Sequence, residues 1–174
     1  MKTLLTLILC SLLMACSHAQ VEDYRDQQPA LDLREYFTGR TDAWGMFQDR
    51  SGKVIKRFHV LIEGRMEGAQ LVLDEHFTYS DGSTRQRIWR LREISPGQWR
   101  GSAGDVLGEA IGEVAGNALR WRYDLLLPVD GSVYQVHFDD WMYLLDAQTL
   151  INRSFMSKLG VELGQVTLFF RKQD

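Results

Sequence analysis

The sequence predicts an all-β protein: an antiparallel up-and-down, lipocalin-like barrel of about eight or nine strands, preceded by a lipoprotein signal peptide. Three observations predict it. From Ala43 onward apolar and polar residues alternate with period two, the mark of strands with one buried face. Turn-forming pairs cut that alternation every few residues: Ser51-Gly52, Glu67-Gly68, Asp81-Gly82, Pro96-Gly97, Gly116-Asn117 and Asp130-Gly131. No capped amphipathic helix of useful length follows residue 42, which excludes βαβ architectures. A sequential meander of this many strands closes more naturally into a barrel than into a sandwich, because closure removes the exposed edges.

The elements follow in chain order. Met1-Lys2-Thr3 carries one positive charge, and Leu4 to Met14 is an apolar run too short to cross a bilayer, so 1–15 reads as a secretory leader. It ends in Leu13-Met14-Ala15-Cys16, which resembles the bacterial lipobox. That resemblance implies lipidation of Cys16, and two or more acyl chains anchor stably where one binds only marginally. Ser17, rather than an Asp after the cysteine, points to the outer membrane with the domain facing the periplasm. Cleavage removes Cys10 and Lys2, which takes the net charge from −3 to −4 and leaves no disulfide. Residues 16–41 then form a polar tether and approach segment with a short apolar patch from Leu31 to Phe37, and 42–174 form the barrel domain.

Strands are expected near 43–48, 54–62, 69–80, 84–94, 98–114, 118–128, 132–144, 149–156 and 166–171, the fifth broken by glycines. Each tight turn fixes a register, and each register must put apolar residues on one face. Closing at Asp130-Gly131 pairs Leu127 with Tyr134, Leu125 with Val136 and Tyr123 with Phe138 inside. It sets Arg122 by Asp139, Asp124 by His137 and Arg120 by Trp141 outside. Closing at Gly116-Asn117 sets Val114, Gly112, Ala110 and Gly108 against Leu119, Trp121, Tyr123 and Leu125, with Glu113 beside Arg120 outside. Closing around Arg65-Met66 brings Phe58, Val60 and Ile62 onto the face of Leu71 and Leu73.

Asp42 to Arg50 (DAWGMFQDR), Ile88-Trp89-Arg90-Leu91, Gly116 to Tyr123 (GNALRWRY), Asp139 to Leu144 (DDWMYL) and Met156-Ser157-Lys158 resemble a family of bacterial lipoproteins known as domain of unknown function 3833. The resemblance covers nearly the whole mature chain. It implies a lipocalin-like barrel on a lipid anchor, with no assigned activity and no catalytic residues.

Composition excludes several functions. Twenty Lys+Arg against 23 Asp+Glu give no basic footprint for nucleic acid. The four histidines show no metal-ligand spacing, so no metal or cofactor is called for. No Gly-x-Ser-x-Gly nucleophile occurs, and Gly101-Ser102-Ala103-Gly104 opens no helix that would cradle a phosphate. The residues that attract notice are charges on the inward face. Closing Leu145–Gln148 around Asp146-Ala147 brings Asp140 opposite Arg153 among Phe138, Met142, Ile151 and Phe155, with Trp121 alongside. Glu75 interrupts the face of Leu71, Leu73, Phe77 and Tyr79, set against Trp89 and near Arg87 by a turn at Asp81-Gly82-Ser83. Charges inside an apolar barrel are costly unless paired. They read either as a register-fixing ion pair or as the polar floor of a ligand cavity. The small residues opposite Trp121 and Tyr123 leave both a filled and a hollow interior open.

Three functions are compatible with this pattern. The first is a non-enzymatic barrel that binds a small hydrophobic or amphipathic ligand, such as a lipid or fatty acid, through Asp140, Arg153, Trp121, Glu75 and Tyr123. The second is an envelope scaffold with a filled barrel and a docking patch around Trp141, Tyr143 and Leu150. The third is an enzyme with an acid–base carboxylate at Asp140 or Glu75.

Overall fold

The computed structural model describes residues 18–129 and 131–173. The leader 1–15 and Cys16 lie outside the described residues. Ten strands close into one barrel: β1 (Gly39–Asp49), β2 (Val54–Glu67), β3 (Gln70–Tyr79), β4 (Thr84–Ser95), β5 (Gln98–Ser102), β6 (Val106–Ala115), β7 (Ala118–Val129), β8 (Ser132–Leu144), β9 (Thr149–Lys158) and β10 (Val161–Lys172). Each pairs antiparallel with its neighbours in sequence, and β1 pairs with β10 to close the wall. The expected eight or nine strands are corrected to ten because 98–114 is not one broken strand. It folds back on itself, with Gly101 opposite Ala110 and Gln98 opposite Glu113. The small residues Gly101 to Gly104 let the chain reverse, and Gly108, at φ 72°, accommodates a bulge before Ile111.

The β7–β8 hairpin has the predicted register at every pair, from Leu127–Tyr134 to Arg120–Trp141. At Gly116-Asn117 the register holds from Val114–Leu119 through Gly112–Trp121, and the bulge then shifts it to Leu107–Asp124. The β2–β3 turn lies at Gly68-Ala69 rather than Arg65-Met66. It sets Val60 against Phe77 and Ile62 against Glu75, an even slip that keeps each face.

The interior is apolar and aromatic, with Val60, Ile62, Leu71, Leu91, Leu119 and Leu150 all buried. The outer wall carries ion pairs, among them Arg120–Asp139 (2.7 Å), Arg122–Glu113 (2.8 Å) and Arg92–Glu109 (2.9 Å). An apolar inside and charged outside is the reverse of a membrane-spanning barrel.

One end is closed by the chain that precedes β1. A 3-10 turn (Val21–Tyr24) packs on the outer wall against Ala115, Ala118 and Trp141. A short helix, α1 (Leu33–Phe37), then caps the barrel end, and Leu31, Leu33, Tyr36 and Phe37 join the main core. Asp32 caps α1 by accepting from the backbone N–H of Arg34 (2.7 Å) and Glu35 (3.2 Å). Tyr36 donates its hydroxyl to the Gln148 carbonyl (3.0 Å), and Arg34 pairs with Glu93 (2.8 Å). The Lys172 ammonium donates to the carbonyls of Glu35, Tyr36 and Thr38 at 2.7–2.8 Å. The approach segment is therefore largely a built-in floor, and the mouth lies at the other end, where β1 turns into β2, β3 into β4 and β9 into β10.

Candidate functional site: a charged, aromatic barrel cavity

The alternation that fills the inner wall does not fill the barrel. A cavity of about 590 Å³ remains, floored by Leu33 and Phe37 of α1 and reaching the mouth at Lys56, Tyr79 and Arg85. That volume lies within the ~300–1,000 Å³ of small-molecule sites. The small residues of β5 and β6 make it possible for the rings to lie flat rather than swell the wall. A Cβ on Gly112 would come within 2.3 Å of the Trp121 ring, and one on Gly101 within 2.5 Å. Trp121 thus lies over both glycines. The choice between filled and hollow resolves as rings against the wall with open space beyond them.

Four of the predicted residues line this space: Glu75, Trp121, Tyr123 and Asp140. Arg153 does not, and this is a correction. The β8–β9 connection pairs Leu144 with Leu150, so Asp140 faces Ser154 and Arg153 pairs with Trp141 on the outer face. Arg153 is exposed, its guanidinium 4.7 Å from the centre of the Phe155 ring, and Ile151 and Phe155 also turn outward. The cause is Asp146, whose carboxylate accepts from the backbone N–H of Gln148 (2.9 Å) and Thr149 (2.8 Å). That side-chain turn lengthens the loop by one residue, and an odd slip inverts every side chain of the strand.

The polar groups are sharply placed. Arg87 lies directly across from Glu75 on the neighbouring strand, not offset from it as expected, because the β3–β4 turn pairs Leu73 rather than Glu75 with Trp89. Arg87 donates to Asp105 from Nε (3.1 Å) and a terminal nitrogen (2.8 Å), and Arg85 donates to the same oxygen at 2.5 Å. The second Asp105 oxygen is buried without a partner. Asp140, 7% exposed, accepts from the Ser154 hydroxyl and from the Tyr123 hydroxyl (3.4 Å). Burial pushes the Glu75 carboxyl up to about 7 against the pull of Arg87. Burial likewise raises Asp140 to about 7, although Ser154, Arg87 and Tyr123 favour its charged form. Burial and the Asp140 charge hold the Tyr123 phenol well above its usual range. A carboxylate removed from water without full compensation takes a proton instead.

Rings enclose these groups. Trp89 meets Trp121 edge-on at 5.7 Å and Tyr123 edge-on at 5.4 Å, and Phe138 stacks on Tyr123 at 5.2 Å. Arg85, Asp105, Ser154 and Phe138 escaped the list of candidates read from the sequence. Arg85 and Arg87 were visible in principle, since they share the inward period of Trp89 and Leu91. Asp105 was not, because its loop forms only once 98–114 folds back. Three of the four histidines sit on the outer wall in carboxylate pairs: His59 with Asp42 (2.6 Å), His76 with Asp74 (3.2 Å) and His137 with Asp124 (2.9 Å). Among the described residues no cluster of three or more metal-ligating side chains occurs.

The fold has solved counterparts. An S-type phycobiliprotein lyase from Guillardia theta superposes with a TM-score of 0.61 at 6% identity, over 90% of this chain and 99% of that one. A de novo designed fluorescence-activating β-barrel gives 0.44 at 13% identity, over 82% of this chain and 99% of the design. At 6% identity the likeness to the lyase shows the fold alone, a closed antiparallel barrel. No curated protein matches the sequence. The model of one protein family matches residues 10–172, nearly the whole chain, and the chain belongs to that family, the proteins of unknown function termed DUF3833.

Proposed function

We propose that this protein is a non-enzymatic carrier or receptor for one small hydrophobic or amphipathic, lipid-like molecule held inside the barrel. The observation that carries this reading is the cavity of about 590 Å³, apolar for most of its wall, with a few convergent polar groups at Glu75, Arg87 and Asp140. A filled scaffold barrel would have no such space. We further propose that Cys16 is lipidated and holds the domain on the outer membrane, facing the periplasm. An anchor there would attach beside the capped end, and the mouth would look away from the membrane that carries it.

The test of binding is native mass spectrometry of the protein purified from its own envelope, followed by organic extraction. A bound mass released as a lipid-like molecule supports the reading. A mass that extraction leaves unchanged, together with failure to take up an added alkyl-chain probe, overturns it. The anchor is tested separately by metabolic labelling with a palmitate analogue. Label lost in Cys16→Ala supports lipidation, and label unchanged in that variant refutes it.

A further inference from the structure

Once ionised, the carboxyls inside the barrel outnumber its guanidiniums, and Asp140 is one of two left without an ion pair. Arg85 and Arg87 both bond to Asp105, and Glu75, opposite Arg87 in the strand register, makes no ion pair among the described residues. Asp140 is the third carboxyl. It is buried and bonded to the Ser154 and Tyr123 hydroxyls, and among the described residues no Lys or Arg lies within ion-pair distance of it. Arg87, the guanidinium whose charge reaches it, is committed to Asp105 through two nitrogens. Aromatic rings stand around this carboxylate. Trp121 is its partner on β7, Trp89 meets Trp121 and Tyr123 edge-on, and Phe138 stacks on Tyr123. Aromatic faces beside an uncompensated carboxylate are the chemistry that holds an organic ammonium ion, by charge and by cation–π attraction together.

Building on the binding reading above, we propose that Asp140 with Trp89, Trp121, Tyr123 and Phe138 forms a head-group subsite that selects a single-chain amphiphile with an ammonium head. An ammonium supplies a cation to Asp140 without disturbing the Arg85–Asp105–Arg87 cluster, whereas above pH 7, where Glu75 and Asp140 are ionised, a fatty-acid carboxylate would add a fourth anion against two guanidiniums. In the empty barrel a proton fills the same role, in keeping with the raised Asp140 carboxyl. The groups that act on Asp140 from neighbouring elements are Tyr123 of β7, Ser154 of β9, Arg87 of β4 and Glu75 of β3. Asp139, beside it in the chain, pairs with Arg120 on the outer wall. The alkyl chain then runs along Phe58, Leu73, Met156 and Leu168, which line the rest of the cavity.

The test is calorimetric titration of the purified protein at pH 8 with dodecyltrimethylammonium, dodecanol and dodecanoate, each below its micelle concentration. The expected order is ammonium tightest, at least about tenfold over dodecanoate, with dodecanol between them. Asp140→Asn should bring the ammonium affinity down to that of dodecanol measured in the same variant. Should that variant not fold, a wild-type pH series replaces it: ammonium affinity should rise from pH 6 to pH 8 while that of dodecanol stays level. Equal binding of all three heads, or tighter binding of dodecanoate, overturns the head-group assignment and leaves the cavity reading standing. No binding of any of the three overturns the cavity reading itself.

Discussion

Glu75→Gln and Asp140→Asn should flatten the pH dependence of stability in a direction opposite to ordinary acid denaturation. Both carboxyls titrate near 7 in the folded protein, against usual values of 4.5 and 3.8. A carboxyl whose folded pKa is raised contributes stability through its neutral form. That contribution is complete below the unfolded pKa and is lost as pH rises through about 7. Between those limits the folded state holds a proton that the unfolded state has released, so stability falls by about 1.4 kcal/mol per pH unit for each group. From pH 5 to pH 8 each carboxyl alone removes roughly 2.5 kcal/mol, and the two share one field, so about 5 kcal/mol is an upper bound for the pair. The assay is urea unfolding of the ligand-free protein at pH 5 and pH 8. At a slope of about 2 kcal/mol/M, each group should move the midpoint by about 1 M. The gap between wild type and Glu75→Gln should shrink, or reverse, by that amount on going from pH 5 to pH 8. Asp49, held low by Ser51, and exposed Glu67, held low by Arg90, contribute slopes of the opposite sign that cancel in the comparison. A wild-type–variant gap independent of pH for both substitutions would show that neither carboxyl is held protonated by burial.

Two further outcomes follow from the geometry. Gly64→Ala should cost about 1–3 kcal/mol, read as a lowered Tm, because its Cβ would lie 1.7 Å from the Phe37 carbonyl oxygen and must push α1 off the barrel end. An unchanged Tm would show that the cap is not seated as described. Arg153→Ala, on the outer face, should leave stability within about 0.5 kcal/mol of wild type and ligand binding unchanged. A loss of binding there would restore the inward register that the sequence alone suggests.

The contrast between two hairpins shows what the sequence could reveal and what it could not. The β7–β8 register was legible because Asp130-Gly131 is a two-residue turn, and only one closure puts Tyr123, Leu125 and Leu127 on one face with opposite charges on the other. The β8–β9 register was not, because Leu150 to Met156 carries apolar residues on both faces. Nothing in the alternation penalised a slip by one, and the Asp146 side chain set the loop length. The strand count missed by one for a related reason: β5 pairs over only a few residues, and the reversal around Gly104 leaves no apolar signature. Of the site, Glu75, Trp121, Tyr123 and Asp140 were visible as inward residues of well-patterned strands. Asp105 and the cap formed by α1 depend on contacts between segments far apart in sequence, to which periodicity is blind.

A barrel left hollow in this way is expected to be occupied. The measurement that tests it most directly is a crystal structure of the protein grown with a dodecyl-chain amphiphile. Electron density for one chain is expected inside the barrel, between α1 and the mouth, with its head beside Asp140. Density confined to the outer wall, or an interior closed by inward movement of Trp121 and Phe138, would contradict it.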